Sequence, residues 1–294
     1  MQRLEQAAIY CAPAVFVVLW STGFIGGKYG LPYAEPFTYL SLRVLSVVAI
    51  LGVVLLLTRP VWPSATGLAH SAVTGLLMQG LYLGGVFVAI DRGLSPALVA
   101  LIVGMQPVLT STLANPVLGE RVTPLQWLGL SVGLFGVFLV VRDNISGVAS
   151  APLIAWIASV IALIGIAAGT LYQKRFGGAI DWRCGFLFQY GASGILFVAC
   201  AFLFERRVVD WDPHFVGALV WMVLVLSLGA IWLLYFLIRR SAATRVVSLF
   251  YLTPPVTALM AWAIFGDRLD VLSLAGMAVC AIGVLLVNRG ARSS

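Results

Sequence analysis

Apolar residues run almost unbroken along this chain, interrupted only by short clusters of charge, proline and glycine. Marking the runs between those breaks gives ten segments: 7–27, 36–57, 67–90, 95–118, 124–141, 151–173, 184–204, 214–237, 242–265 and 270–288. Each is close to the roughly 20 residues that carry a helix across a bilayer. The connections are short, such as "DRGLS" at 91–95 and "GERVT" at 119–123, so consecutive helices must be antiparallel neighbours. The pattern predicts an all-α polytopic membrane protein with ten transmembrane helices.

Composition agrees. Of 294 residues, 61% are hydrophobic and 10% charged, and mean hydropathy is +1.04. A soluble domain carries about 25% charged residues, and no segment here is polar enough to form one. Cys11, Cys184, Cys200 and Cys280 are scattered through apolar runs without metal-ligand spacing. They read as small hydrophobes, not as a disulfide framework. His70 and His214 fall at span starts and read as interfacial. The first run is too long for a signal peptide, lacks a cleavage site and ends at Lys28, so it reads as a span.

The net charge of +7 acquires meaning through topology. With the N-terminus inside, Arg3, Arg59, Arg121, Lys174, Arg175, Arg183, Arg239, Arg240, Arg245, Arg289 and Arg292 face the cytoplasm. Lys28, Arg92, Arg142, Arg206, Arg207 and Arg268 face out. The first half is balanced, and the second half tips the bias toward both termini in the cytoplasm of a cell (inner) membrane. No basic cluster carries interleaved aromatics, so nucleic acid is not an expected partner.

The chain also repeats itself. "GERVTPLQWLGLSVGLFGVFLVVRD" at 119–143 lies on "GDRLDVLSLAGMAVCAIGVLLVNRG" at 266–290, an offset of 147 residues. Gly119, Arg121, Leu125, Gly129, Val132, Gly136, Val137, Leu139 and Arg142 meet identical residues, and Glu120 meets Asp267. Further back, Pro107 meets Pro254; at an offset of 146, Lys28 meets Lys174 and Glu35 meets Asp181. Two units follow, 1–147 and 148–294, each with five spans. Because five is odd, the second copy threads the membrane in the opposite direction. Inverted repeats place a substrate site near the midplane and permit alternating access. A transporter is the expectation.

"LWSTGFIGGKYG", "QPVLTSTLANPVLGERVTPLQWLGLSVGLFGVFLVV" and "LTPPVTALMAWAIFGDRLDVLSLAGMAVCAIGVLLV" resemble EamA repeats of the drug/metabolite transporter superfamily. The resemblance covers essentially the whole chain, and its proline-to-GE/GD-R spacing occurs twice in register. Length and helix count are similar to the ten-helix exporters of amino acids and metabolites, including the YddG kind that exports aromatic amino acids. The family's second-helix arginine falls on Arg43 and its acidic loop residue on Glu120. The second copy departs from this, with Gln189 opposite Arg43 and Asp267 opposite Glu120.

Arg43 is the one charge deep inside a span, in "TYLSLRVLSVVAILGVVLLL" at 38–57. An arginine there costs roughly 2.5–3.5 kcal/mol on insertion scales. It lies about 12 Å along the axis from Glu35 at 1.5 Å per residue. Two readings stand open: a bidentate carboxylate contact in a central cavity, or a cap on backbone carbonyls or the outer interface. Tyr39 is one turn earlier on the same face. Gln79 with Tyr82, and Gln106 with Thr110, pair similarly. Trp20, Tyr172, Gln189, Trp232, Tyr235 and Tyr251 complete the substrate-binding candidates. Such groups line a cavity or tie helices together. Trp62, Trp182 and Trp211 sit at span ends, as in an interfacial belt. Pro107, Pro254 and Pro255 predict kinks or hinges at equivalent points of the two halves. Gly26–Gly30, Gly80–Gly84, Gly129–Gly133 and Gly165–Gly169 are GxxxG packing faces.

No acidic residue lies well inside a span, which disfavours a buried-carboxylate route for cations and protons. A facilitator, or coupling through the substrate's own charge, fits better. Paired acids, an activated nucleophile and metal ligands are absent from the spans, so neither an enzyme nor a cofactor or metal is expected. The expectation is a carrier exporting or exchanging small amphipathic metabolites, above all amino acids, aromatic or apolar ones among them. An exporter of drugs or other metabolites, or a channel, are the alternatives. The expected partners are a small-molecule substrate and the lipid bilayer, with monomer and homodimer both open. Helices five and ten, glycine-rich and poor in polar groups, are expected at the periphery or at a dimer contact.

Overall fold

The structure is a computed structural model that describes residues 2–94, 96–142, 151–178, 180–265 and 270–290. Among them there is no strand, only a single bridge between Ala34 and Val209. The helices are α1 (Gln2–Gly30), α2 (Pro36–Thr58), α3 (Ala65–Gly75), α4 (Tyr82–Asp91), α5 (Pro96–Val103), α6 (Gln106–Leu118) and α7 (Pro124–Val141). They continue as α8 (Leu153–Phe176), α9 (Trp182–Phe204), α10 (Pro213–Trp221), α11 (Ile231–Arg240), α12 (Ala243–Ser248), α13 (Thr253–Phe265) and α14 (Val271–Gly290). Among the described residues eight helical stretches are long and apolar enough to cross a membrane, and α1 carries a shorter apolar stretch, Cys11–Gly23. The expected unit boundary at 147/148, and Asp267 with Arg268, lie outside the described residues.

Among the described residues, three joints between consecutive helices are helical but not plain α-helix. A π-helical segment, Leu76–Leu81, joins α3 to α4, and a second, Met222–Ala230, joins α10 to α11. A 3₁₀ turn, Leu249–Leu252, joins α12 to α13. The break between α5 and α6 falls at Gly104–Met105, just ahead of Pro107. Proline clashes with the preceding turn and lacks an N–H, so the ladder is interrupted there.

Helix ends are capped where loops are short. Thr123 and Gln126 form a reciprocal capping box at α7. Asp181, Asp212 and Asp270 accept from the N–H groups of Arg183, His214 and Ser273. Hydrogen bonds from the Arg183 side chain hold the Asp181 carboxyl below the ordinary carboxylate range.

Glycine governs the closest crossings. α7 and α14, the fifth and tenth spans of the sequence pattern, pack along each other more extensively than any other pair. A Cβ on Gly283 would sit 2.6 Å from the Gly133 Cα, and one on Gly129 would sit 2.7 Å from the Gly283 carbonyl oxygen. The expected peripheral helices are thus each other's partners. Gly165 and Gly169 of α8 meet Leu77 and Met78 of the first π segment with similar closeness. These small-residue faces let backbones approach where lipid offers no hydrophobic drive.

Candidate substrate-binding site

Arg43 lies on the face of α2 that turns away from lipid, and only 3% of it is exposed. Its Nε donates to Ser227 Oγ at 2.8 Å. Ser227 belongs to the second π segment, and its carbonyl accepts from the Tyr190 hydroxyl at 2.8 Å. Among the described residues Arg43 has no carboxylate partner. The guanidinium instead lines a cavity of about 60 Å³ with Trp20, Gln79, Tyr82, Met78 and Leu226. A water needs roughly 10–15 Å³ of such space, so several waters or one ligand head group fit.

Gln79 comes from the first π segment and is 1% exposed, yet neither its Oε1 nor its Nε2 has a protein partner. A buried amide left unpaired costs about 1–3 kcal/mol per group. π turns concentrate at functional sites, and here the two of them supply Gln79 and the Ser227 that holds Arg43. A second cavity of about 40 Å³ shares Trp20, Tyr82 and Val86 with the first and adds Gln106, Thr253 and Pro254. The Trp20 and Tyr82 rings stack at 6.4 Å, forming the wall common to both.

The other sequence candidates divide. Tyr235 donates to Gln189 Oε1 at 2.7 Å, and Gln189 Nε2 donates to Gln173 Oε1 at 3.5 Å. This network stands behind Met78, whose sulfur lies 3.2 Å from the Tyr235 hydroxyl. Tyr39 is buried between the rings of Phe87 and Phe215. Thr110 and Tyr251 are buried with unpartnered hydroxyls, the latter packed on Gly133. Tyr172 pairs instead with His70 Nδ1 at 2.7 Å, toward the end of α8. Trp232 is 40% exposed and stacks on Phe236; it lines neither cavity. Pro254 lines the second cavity, while Pro107 and Pro255 are buried. Sequence reasoning missed Ser227 and Thr253, each a small hydroxyl in an apolar run with no spacing signal.

Both ends of the bundle are tied by polar groups. At one, Glu205 accepts from the Phe37 and Thr38 N–H groups and the Thr38 hydroxyl, all at 2.7 Å. Glu35 accepts from the Arg206 N–H at 2.7 Å. At the other, Glu120 pairs with Lys174 Nζ at 2.9 Å and accepts from the Ala243 N–H at 2.9 Å. Lys174 also donates to the Ser241 carbonyl.

A polytopic helical bundle with a buried, partly polar central cavity is the architecture of a membrane transporter. Residues 8–142 and 153–289 each match the EamA-like transporter family, and the chain belongs to that family. It is 24% identical over 291 residues to the uncharacterized inner membrane transporter YedA of Escherichia coli K12, covering 99% of this chain and 94% of that one. It is 26% identical to the uncharacterized transporter YyaM of Bacillus subtilis 168, covering 97% and 95%. A 173-residue stretch is 25% identical to a probable amino-acid metabolite efflux pump of Escherichia coli K12, covering 59% of this chain and 50% of that protein. A crystal structure 20% identical in sequence superposes with a TM-score of 0.80, covering 96% of each chain; that likeness concerns the fold.

Proposed function

We infer that the protein is an alternating-access carrier that exports or exchanges small amphipathic metabolites with a carboxylate, amino acids foremost. The observation that carries this is Arg43: a buried guanidinium facing a cavity, with no carboxylate of the described protein to neutralise it. A substrate carboxylate would complete it through charge-assisted hydrogen bonds. Apolar walls from Trp20, Tyr82, Met78 and Leu226 suit an apolar or aromatic body. The relative named as a probable amino-acid metabolite efflux pump supports the substrate class, and the relatives named as transporters support a carrier over an enzyme.

The carrier has ten transmembrane helices in two inverted five-helix units, 1–147 and 148–294. Helix pairings that exchange under the sequence offset support this. α8 packs on the first π segment and α1 on the second; α6 packs on α8 and α13 on α1; α2 pairs with α9 and α7 with α14. With both termini in the cytoplasm of the inner membrane, the Glu120–Lys174 tie lies inside and the Glu205 tie outside. Alternating access requires such ties to part in turn. Cysteines replacing Arg121 and Arg268 are therefore expected to label from opposite membrane faces; labelling from one face would end the inverted-repeat reading.

The direct test is counterflow in proteoliposomes. Vesicles preloaded with unlabelled phenylalanine or leucine are expected to accumulate the labelled amino acid transiently and saturably. A channel gives no such overshoot. Accumulation of organic cations alone would overturn the carboxylate reading.

A further inference from the structure

The second cavity has a chemistry of its own. Gln106 opens α6 and Thr253 opens α13, positions that correspond under the 147-residue offset, and each is followed by proline. Gln106 is fully buried and its Nε2 donates to Thr170 Oγ1 at 3.3 Å, leaving Oε1 without a partner. Thr253 is 3% exposed and its Oγ1 is likewise unpartnered. Pro107 carries no N–H, so the carbonyl of Val103, four residues earlier, has no α-helical donor; the Phe250 carbonyl, four residues before Pro254, accepts instead from the Thr253 N–H in the 3₁₀ turn. Gln106, Thr253, Val103, Phe250 and Pro254 wall the second cavity. Among the described residues no lysine, arginine or histidine does so; Trp20 and Tyr82, shared with the first cavity, bring one N–H and one hydroxyl.

The two cavities thus differ in charge: the first holds a cation beside the unpartnered Gln79 amide, and the second has none. The Arg43 guanidinium in the first only donates and is the charge that selects a carboxylate. The second has an excess of acceptors: the unpartnered Gln106 amide oxygen, the Thr253 hydroxyl, which can accept, and the Val103 carbonyl that Pro107 leaves without an α-helical donor. Buried acceptors facing an apolar ligand would stay unpaired, which is costly. We propose that the Gln106–Thr253 cavity is a subsite for a hydrogen-bond donor, a hydroxyl or N–H group, at the end of the substrate remote from its carboxylate. The substrate body then lies against Trp20, Tyr82 and Val86, the wall common to both cavities. The subsite rests on the carboxylate reading of Arg43, because that contact fixes which end of the ligand reaches it.

Three monocarboxylates isolate the effect: phenylpropionate, its para-hydroxy derivative and its para-methoxy derivative. Binding to the purified full-length protein is read from ligand-dependent thermal stabilisation in detergent. The hydroxy compound is expected to bind roughly tenfold more tightly than the other two, the value of one well-made hydrogen bond to a buried acceptor. In Gln106→Leu and Thr253→Val proteins the ratio of hydroxy to unsubstituted affinity falls toward one, whereas Thr253→Ser keeps it. Equal binding of all three compounds, or a ratio unchanged in Gln106→Leu, would mean that water satisfies these groups and would overturn the subsite alone. No stabilisation by any of the three would overturn the carboxylate reading of Arg43 and the subsite with it.

Discussion

Replacing Arg43 with methionine is expected to lower amino-acid counterflow by about a hundredfold or more, while the protein still reaches the membrane in near-normal amount. The two halves of that expectation have separate causes. Each hydrogen bond between guanidinium and carboxylate contributes roughly 1.5–3 kcal/mol, and two in a bidentate pair bring the loss to roughly two to four orders of magnitude. Folding should suffer little. Arg43 forms one side-chain hydrogen bond, to Ser227, and an apolar residue of similar length removes the desolvation penalty that the charge imposes. Arg43→Lys keeps the charge but not the planar fork and should fall between. Ser227→Ala, which frees the guanidinium without removing it, should cost far less than Arg43→Met. If Arg43→Met protein is lost from the membrane, or transports normally, the guanidinium is a structural tie and binds no carboxylate.

Arg43 was legible because charge is conspicuous in an apolar helix, and Gln79 and Gln106 because an amide in lipid must find a partner. The helices themselves could be read from length and hydropathy. Facing could not. In a water-soluble helix the polar side marks solvent, whereas here lipid and core are both apolar, so Trp232 and Trp20 look alike in sequence. Only packing separates them: Trp20 stacks on Tyr82 at the cavity, and Trp232 faces outward.

The π segments were equally hidden. "LLMQGL" and "MVLVLSLGA" contain no proline and have ordinary propensities, so their extra residue per turn follows from tertiary fit. In the first, Met78 is pressed against Gly169 and Leu77 against Gly165. The glycine pairs signalled close packing without naming partners. That α7 would meet α14, and not the edge of another copy, depended on a long-range match that the GxxxG spacing does not encode. Helix breaks at Gly104–Met105 and Leu249–Leu252 lie just ahead of Pro107 and Pro254, but the gathering of acceptors in one cavity depends on bringing two distant helices together.

Gly75→Ala is expected to deplete folded protein, although it adds one methyl group. The new Cβ would stand 2.1 Å from the Gln189 carbonyl oxygen and 2.4 Å from the Gln189 Cα. Both are backbone atoms of α9, so no rotamer change relieves the contact and α3 must move off α9. Overpacking typically costs 1–3 kcal/mol where side chains can yield; here they cannot, and a cost of about 3 kcal/mol or more follows. Gly283→Ala should behave similarly, since its Cβ meets the Gly133 Cα at 2.6 Å. Gly191 supplies the control on α9 itself: a Cβ there meets nothing within 4 Å, and alanine should be tolerated or stabilising by about 1 kcal/mol from helix propensity. Size-exclusion profiles of fluorescently tagged protein would separate the cases. A monodisperse peak for Gly75→Ala equal to that for Gly191→Ala would mean that α3 and α9 do not cross as closely as this. The register that sets Gln79 in the cavity and Gln189 behind it would then be wrong as well.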